Sequence, residues 1–346
     1  MQFVRYAIAL ALGNGSLHKS MGVAGERWPG MQHIPEMLRK AAIDPATTDG
    51  GNWAQPLSVF QTTADEYIEA LRPLTILGKL SGVTPAPTRT LIPRIVVGGG
   101  SSWVGQNQSI PVSRLSLDTL SMPPMKVATI IPLSVELLSD SRPSAELLIR
   151  RDMLAACASY ADKQFIDPSV TATASNPASI TSGITPIAST GSTVTQINSD
   201  VQKLFAVGIA AGHGFGNAYW IMHPRSALYL SGVLTAGNVP MWPTINIRGG
   251  IWYGLPVIVS ASVPVDTGDD SYIFLIDASE VLFADGATRI DVATHASLQL
   301  DSTPSNLGAN QISLWQKSLA ALKIVRDINY TRRRDSGVAV LSGVSF

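Results

Sequence analysis

No stretch constrains the chain more than PSAELLIRRDMLAACASYADKQF, from Pro143 to Phe165. Leu147, Leu154, Ala158 and Phe165 fall on one stripe, and Arg150, Asp152 and Lys163 lie opposite, the pattern of a helix with one packed and one solvated face. Pro143 suits the first turn, Ser141 or Ser144 the cap, and Asp167-Pro168 the end. β-prone runs flank it on both sides.

Upstream, TLIPRIVVGGG, WVGQNQSIPVSRLSLDTL and MKVATIIPLS are short β-prone runs broken by Pro and Gly. Ser113, Leu115, Leu117 and Thr119 alternate with Arg114, Ser116 and Asp118, as on a two-faced strand. The runs predict a long hairpin with its apex near Gly98 to Gln108. Two strands alone are barely stable in water, so this hairpin needs a neighbour to lean on.

Downstream, residues 168–199 contain no Asp, Glu, Lys or Arg, a composition that suits either a flexible linker or a β-rich excursion. SDVQKLFAVGIAAG then predicts a second helix with Gly212 as its stop. AYWIM, LPVIVS and YIFLID follow as strands of a mixed α/β unit. The tail reads as strand, with Ile324, Ile328 and Tyr330 on one face, although LWQKSLAAL equally suits a helix start. At the other end, Phe3, Val4, Ala7, Ile8, Ala11 and Leu12 suggest a short docking helix, and Ile34, Met37, Leu38 and Ala41 an amphipathic one. TTDGGNWAQPLSV reads as irregular chain.

The apex segment, Trp103 to Ser113, has an aromatic ring, amides and hydroxyls but no carboxylate, lysine, histidine or cysteine, which suits contact better than reaction. The whole chain shares this character: 14% of its residues are charged and 45% hydrophobic, against a usual charged share of roughly 25%. Much of its surface is therefore uncharged and suited to burial by partners. Lys+Arg and Asp+Glu both number 25, which excludes a strong global field for nucleic acid or anionic lipid. The single cysteine, Cys157, excludes an intrachain disulfide framework and reads as a small packed residue. No apolar run is long enough to predict a membrane span.

Catalytic patterns are mostly missing. Gly98 to Gly100 lead into Ser-Ser-Trp rather than the Gly-Lys-Ser of a phosphate loop, and GHGFGN at 212–217 closes a helix instead of opening one. The five histidines have no zinc-protease spacing; His223, at a strand end before Pro224, is the best candidate general base. Asp266, Asp269 and Asp270 suit a polar hairpin turn better than a cation site. Arg332, Arg333 and Arg334 suit a solvated edge, a subunit salt bridge or phosphate contact. No catalytic residue, metal site or cofactor is expected.

Taken in order, SSWVGQNQSIPVS, LSMPPMKVATIIPLSVELLSDS, AYWIMHPRSALYL, YGLPVIVSASVP and SLAALKIVRDINYTRRRDSGVAVLSGV resemble the major capsid proteins of tailed bacteriophages, which implies the α+β Hong Kong 97-type fold that encapsulins share. The resemblance implies an N-terminal arm at 1–80, an extended loop at 81–130, and a peripheral domain with its spine helix at 131–199. An axial domain at 200–288 and peripheral return strands with the C-terminus at 289–346 complete the division. It also implies that the loop contacts a neighbouring subunit through Trp103, Val104, Gln106, Asn107, Gln108 and Arg114, while Leu147, Leu154, Ala158 and Phe165 form the core side of the spine.

The implied function is a structural one: hexamers and pentamers of an icosahedral head in the virion, around double-stranded DNA held by weak, non-specific contact. Scaffolding, portal and possible decoration proteins are the implied partners, with no membrane. Relatives commonly carry an acidic residue where Gln106 stands. Some form an isopeptide bond from a loop lysine, but residues 81–125 contain no lysine, so no such crosslink is expected. Some lose a long N-terminal segment to a protease; the short arm here predicts no such removal and a separate scaffolding protein. An encapsulin-like compartment shell and, from another class, a small-molecule hydrolase using His223 are the alternatives.

Overall fold

The computed structural model describes residues 9, 12, 17–28, 68–97, 100–114, 116–136, 143–235, 237–266, 270–301 and 311–346, with the side chains of 17, 18, 95–97, 143–150, 153 and 290 set aside. The predicted amphipathic helix at 34–41, the irregular stretch at 47–59, most of the N-terminal stripe, Gly98, Gly99, Leu115, Ser141 and Asp269 lie outside them. Apart from a one-turn helix at Ile76–Lys79 and three short 3-10 helices, the described elements in chain order are α1 (Leu17–Arg27), β1 (Thr84–Pro85), β2 (Leu91–Val97), β3 (Ser116–Ser121), β4 (Lys126–Ser134), α2 (Pro143–Ile166), β5 (Ile187–Ala188), α3 (Val194–Ala210), β6 (Ala218–Met222) and α4 (Pro224–Gly232). Then come β7 (Ile245–Asn246), β8 (Gly249–Trp252), β9 (Leu255–Val259), β10 (Ser271–Asp277), β11 (Val281–Ala293), β12 (Ser297–Gln299), β13 (Gln311–Ser313), β14 (Leu319–Arg332) and β15 (Val338–Val344).

The chain forms two compact units, one of residues 1–78, 127–160 and 287–326, the other of 79–126, 161–286 and 327–346. In the first, Leu154 and Ala158 of α2 pack with Ala320, Leu322 and Ile324 of β14 and with Leu71, and the half-buried Ile131, Leu133 and Cys157 complete the cluster. β14 reaches the helix with every second residue, the period of a strand with one buried face. It belongs to a four-stranded sheet of order β1-β11-β14-β4. The segment before it does not start a helix: Trp315 to Ser318 form a turn with Ser318 at φ 50°, and the strand begins at Leu319.

The second unit is built on a seven-stranded sheet of order β5-β15-β10-β6-β9-β8-β7. The run SYIFLID is apolar on both faces, and β10 accordingly lies inside the sheet, antiparallel to β15 and to β6. Both edge strands are two residues long, which leaves little unpaired backbone at the rims. One face carries Trp220, Trp252, Ile273 and Leu275 together with Ile197, Val201 and Leu204 of α3. The Trp220 indole N–H donates to the Trp252 carbonyl at 3.0 Å, so this large ring is buried without an orphaned donor.

Local chemistry sets the ends of these elements. Helix α3 starts at Val194, earlier than the predicted Ser199, because Thr193 caps it and the Gln196 side chain accepts from the Thr193 N–H at 3.2 Å. Gly212 ends it at φ 74°, where a left-handed residue is needed. The two-residue connection from β8 to β9 has Tyr253 and Gly254 both at positive φ, as a tight hairpin turn requires. The neutral tract at 168–186 is neither a free linker nor a β-rich excursion. Thr181 Oγ1 donates to the Ile166 carbonyl at 2.7 Å, the Ile180 N–H to Phe165 at 3.0 Å, and only Ile187–Ala188 adds a strand.

Candidate assembly surface

β2 and β3 form the predicted hairpin, pairing Ile92 with Leu120 and Arg94 with Asp118, with a register shift between Ile95 and Val97. Its root supplies the needed support. Ile92 and Leu120 pack with Ala86 on the buried Met122, Leu282 and Ala284. One step outward, Arg94 Nη2 lies 2.8 Å from Asp118 across the strands, and its Nη1 donates to the Arg333 carbonyl at 3.3 Å. The hydrogen bond from Arg94, with that from the Thr119 N–H, holds the Asp118 carboxyl below its ordinary pKa.

Beyond the strands this support stops. Residues 100–114 have no regular structure apart from a turn in which the Gln108 N–H donates to the Gly105 carbonyl at 3.2 Å. Asn107 sits in this turn at φ 66°, a conformation asparagine tolerates well. Trp103 is fully exposed, at 104% of its reference area, as is Val112 at 99%. Gln106, Asn107, Gln108 and Arg114 are exposed beside them, and Val104 is exposed to a lesser degree. All six predicted loop residues therefore share one exposed, nearly neutral segment.

The predicted spine residues divide differently. Leu154 and Ala158 are buried in the first unit, and Phe165 is buried in the second, edge-on to Tyr330 with ring centroids 5.1 Å apart. Leu147 lies on the helix, but its side chain is outside the described ones.

The arginine run is engaged within its own chain. Arg332 donates to Asp335 at 2.6 Å and to the Ile180 and Ser182 carbonyls at 3.0 and 2.7 Å. Arg334 forms a two-point pair with the buried Glu280, whose carboxyl it holds below the ordinary range, and the Arg333 N–H donates to the Glu280 carbonyl. His223, the candidate base, is a helix cap: its Nδ1 accepts from the Arg225 N–H at 3.2 Å, and burial, then Arg225, lowers its pKa. The Asp266 N–H donates to the Asp270 carbonyl at 2.7 Å. Cys157 is half-buried, with its sulfur 3.5 Å from Thr129 Oγ1.

Two surface features were not foreseen from the residues. The second unit exposes Ile209, Leu228, Leu234, Val239 and Ile251, and the first exposes Trp315. Apolar positions on short elements carry no sequence signal that separates these from core. The second unit also holds a cleft of about 510 Å³, lined by the hairpin root, the 172–182 segment and the end of β14. Sequence reading missed one further cluster: His213 Nε2 lies 3.0 Å from Ser336 Oγ, and its Nδ1 lies 3.6 Å from Asp277. Asp277 also accepts from the Ser279 N–H and hydroxyl, so the cluster ties the ends of α3 and β10 to the turn before β15.

Among the described residues no three His, Cys, Asp or Glu side chains gather to hold a metal ion, and no helix is long and apolar enough to cross a membrane.

Comparison with known proteins points one way. A model of the phage capsid family matches residues 57–303. The capsid polyprotein of Pseudomonas phage PAJU2 is 35% identical over 360 residues, covering 99% of this chain and 54% of the relative; the chain thus spans about half of that protein's length. The major capsid protein of Klebsiella oxytoca phage phiKO2 is 21% identical over 355 residues, covering 99% of this chain and 78% of the relative. Among solved structures, chains from Gordonia phage Cozz and Mycobacterium phage Ogopogo superpose with TM-scores of 0.58 and 0.59 at 18% and 15% identity. Each covers 78% of this chain, and 86% and 91% of their own. The capsid of a native GTA particle gives 0.56 at 15% identity, over 78% of this chain and 89% of that one.

Proposed function

Because the chain belongs to the phage capsid family, we propose that it is the shell subunit of a phage head, assembling as hexamers and pentamers into a closed icosahedral particle. Its fold is the α+β Hong Kong 97-type capsid fold expected from the sequence. The observation that carries the proposal is the exposed loop: a segment that leaves Trp103 and Val112 bare to solvent has the apolar exposure of a surface that partners cover.

In this reading Trp103 and its neighbours hold an adjacent copy, and the segments 1–80, 81–130, 131–199, 200–288 and 289–346 act as arm, extended loop, peripheral domain, axial domain and return strands. Leu147, Leu154, Ala158 and Phe165 stiffen each subunit along α2. Arg332 and Arg334 hold the second unit together, and Arg333 is the member of the run left for charge contact with a neighbour. Identical contacts repeated by rotation close a symmetric shell. The shell contains double-stranded DNA, touched weakly because the net charge is zero. Scaffolding, portal and decoration proteins complete the particle, which is assembled in the bacterial cytoplasm, and the subunit acts without catalysis.

Particles purified from producing cells test this directly. The proposal expects uniform polyhedral shells by negative-stain microscopy, holding nuclease-resistant double-stranded DNA. Shells holding an enzyme and no DNA would instead identify a compartment.

A further inference from the structure

Resting on the shell-subunit reading, we propose that the cleft at the hairpin root is the seat for the loop tip of a neighbouring copy, with Trp103 as the inserted group. Leu120, Met125, Pro177 and Ala178 give the cleft apolar walls, and Thr173 and Asn329 give it neutral polar ones. Its charged rim is already compensated. Arg94 is paired with Asp118 and donates to the Arg333 carbonyl. Arg332 is held by Asp335 and by the carbonyls of Ile180 and Ser182. An acidic or phosphate-bearing ligand would have to break these bonds, so the cleft selects a neutral occupant with apolar bulk. At about 510 Å³ it falls in the size range of ordinary ligand pockets, larger than an indole ring.

The exposed segment at 100–114 has that chemistry: Trp103, Ile110 and Val112 supply apolar bulk, and Gln106, Asn107 and Gln108 supply neutral hydrogen-bonding groups. It does not fill the cleft of its own chain, since Trp103 stands 104% exposed. Tip and seat are different patches of one unit, so one copy's tip in the next copy's seat makes a head-to-tail contact. Such contacts generate rings when the rotation closes.

Replacing Trp103 with the photo-crosslinker p-benzoylphenylalanine keeps an aromatic group at the tip. Particles assembled from mixed ¹⁴N and ¹⁵N copies of this variant are irradiated and the crosslinked peptides mapped by mass spectrometry. The expected crosslinks join light to heavy chains and fall within 120–125, 172–182 or 327–335. Heavy-to-light crosslinks concentrated elsewhere would overturn the seat and leave the shell reading intact. A chain that stays monomeric at every concentration, with and without a scaffolding partner, would overturn both. Ala178→Trp fills the cleft from within, and it is expected to raise the concentration needed for assembly at least tenfold while the protomer's melting temperature stays within a few degrees. Assembly of that variant at the wild-type concentration would also overturn the seat.

Discussion

Trp220 and Trp103 are the same side chain in opposite surroundings within one compact unit. Trp220 is fully buried in β6, its N–H bonded to Trp252 and their rings 4.8 Å apart, whereas Trp103 is fully exposed. Around Trp220 the sheet excludes water on both faces: Ile273 to Asp277 are all buried along β10. Around Trp103 the backbone is held by a single turn. The difference separates two tasks. Apolar burial inside the sheet stabilises the folded protomer, and in the proposed reading apolar exposure on the loop drives association between protomers.

Substitutions should therefore sort by region. Trp220→Ala, which removes the centre of the core, is expected to cost about 3–5 kcal/mol in chemical denaturation. Gly250→Ala places a Cβ 1.9 Å from the Thr244 carbonyl at φ 140°, and should cost about 2–3 kcal/mol through forced backbone movement. Glu280→Gln leaves Arg334 without its charged partner and is expected to lose about 1–3 kcal/mol at neutral pH. Trp103→Ala should change protomer stability by less than about 0.5 kcal/mol, because the ring is fully exposed and none of the described residues covers it. A core-sized loss at Trp103 would end the distinction between the two regions.

The same contrast has a pH form. Arg334 lowers the Glu280 pKa. At Asp200, burial alone would raise the pKa, but the Thr190 and Lys203 hydrogen bonds outweigh it and the net shift is down. Carboxyls depressed in the folded state stabilise it above their unfolded values, about 3.9 for Asp and 4.3 for Glu, and that stability is lost as pH falls through the folded values. Melting temperature should hold from pH 7 to about 5 and then drop, with a shallower drop in Glu280→Gln. On a denaturing gel, mature particles should give separate chains rather than covalent ladders, since the loop offers no lysine from 81 to 125.

Elements with a strong local signature were legible in the sequence. Helix α2 runs Pro143–Ile166 where the stripe from Leu147 to Phe165 predicts it, and the hairpin, β10 and the tail strand follow their apolar patterns. What escaped depends on partners distant in sequence. Nothing near Arg332 announces the carbonyls of Ile180 and Ser182, and nothing near His213 announces Ser336 and Asp277. The neutral tract gives no sign that Thr181 will tie it to the end of α2. At the candidate site the tip was legible, because a run of neutral residues with one tryptophan stands out. The cleft was not, because its walls come from three separated segments.

Sedimentation velocity of the purified chain across a concentration series, beside Trp103→Ala, tests the central claim most directly. The account predicts that the wild type passes from protomer to rings and closed shells, and that the variant remains a folded protomer at the same concentrations. A wild-type chain that never associates, or a variant that assembles as readily as the wild type, would contradict it.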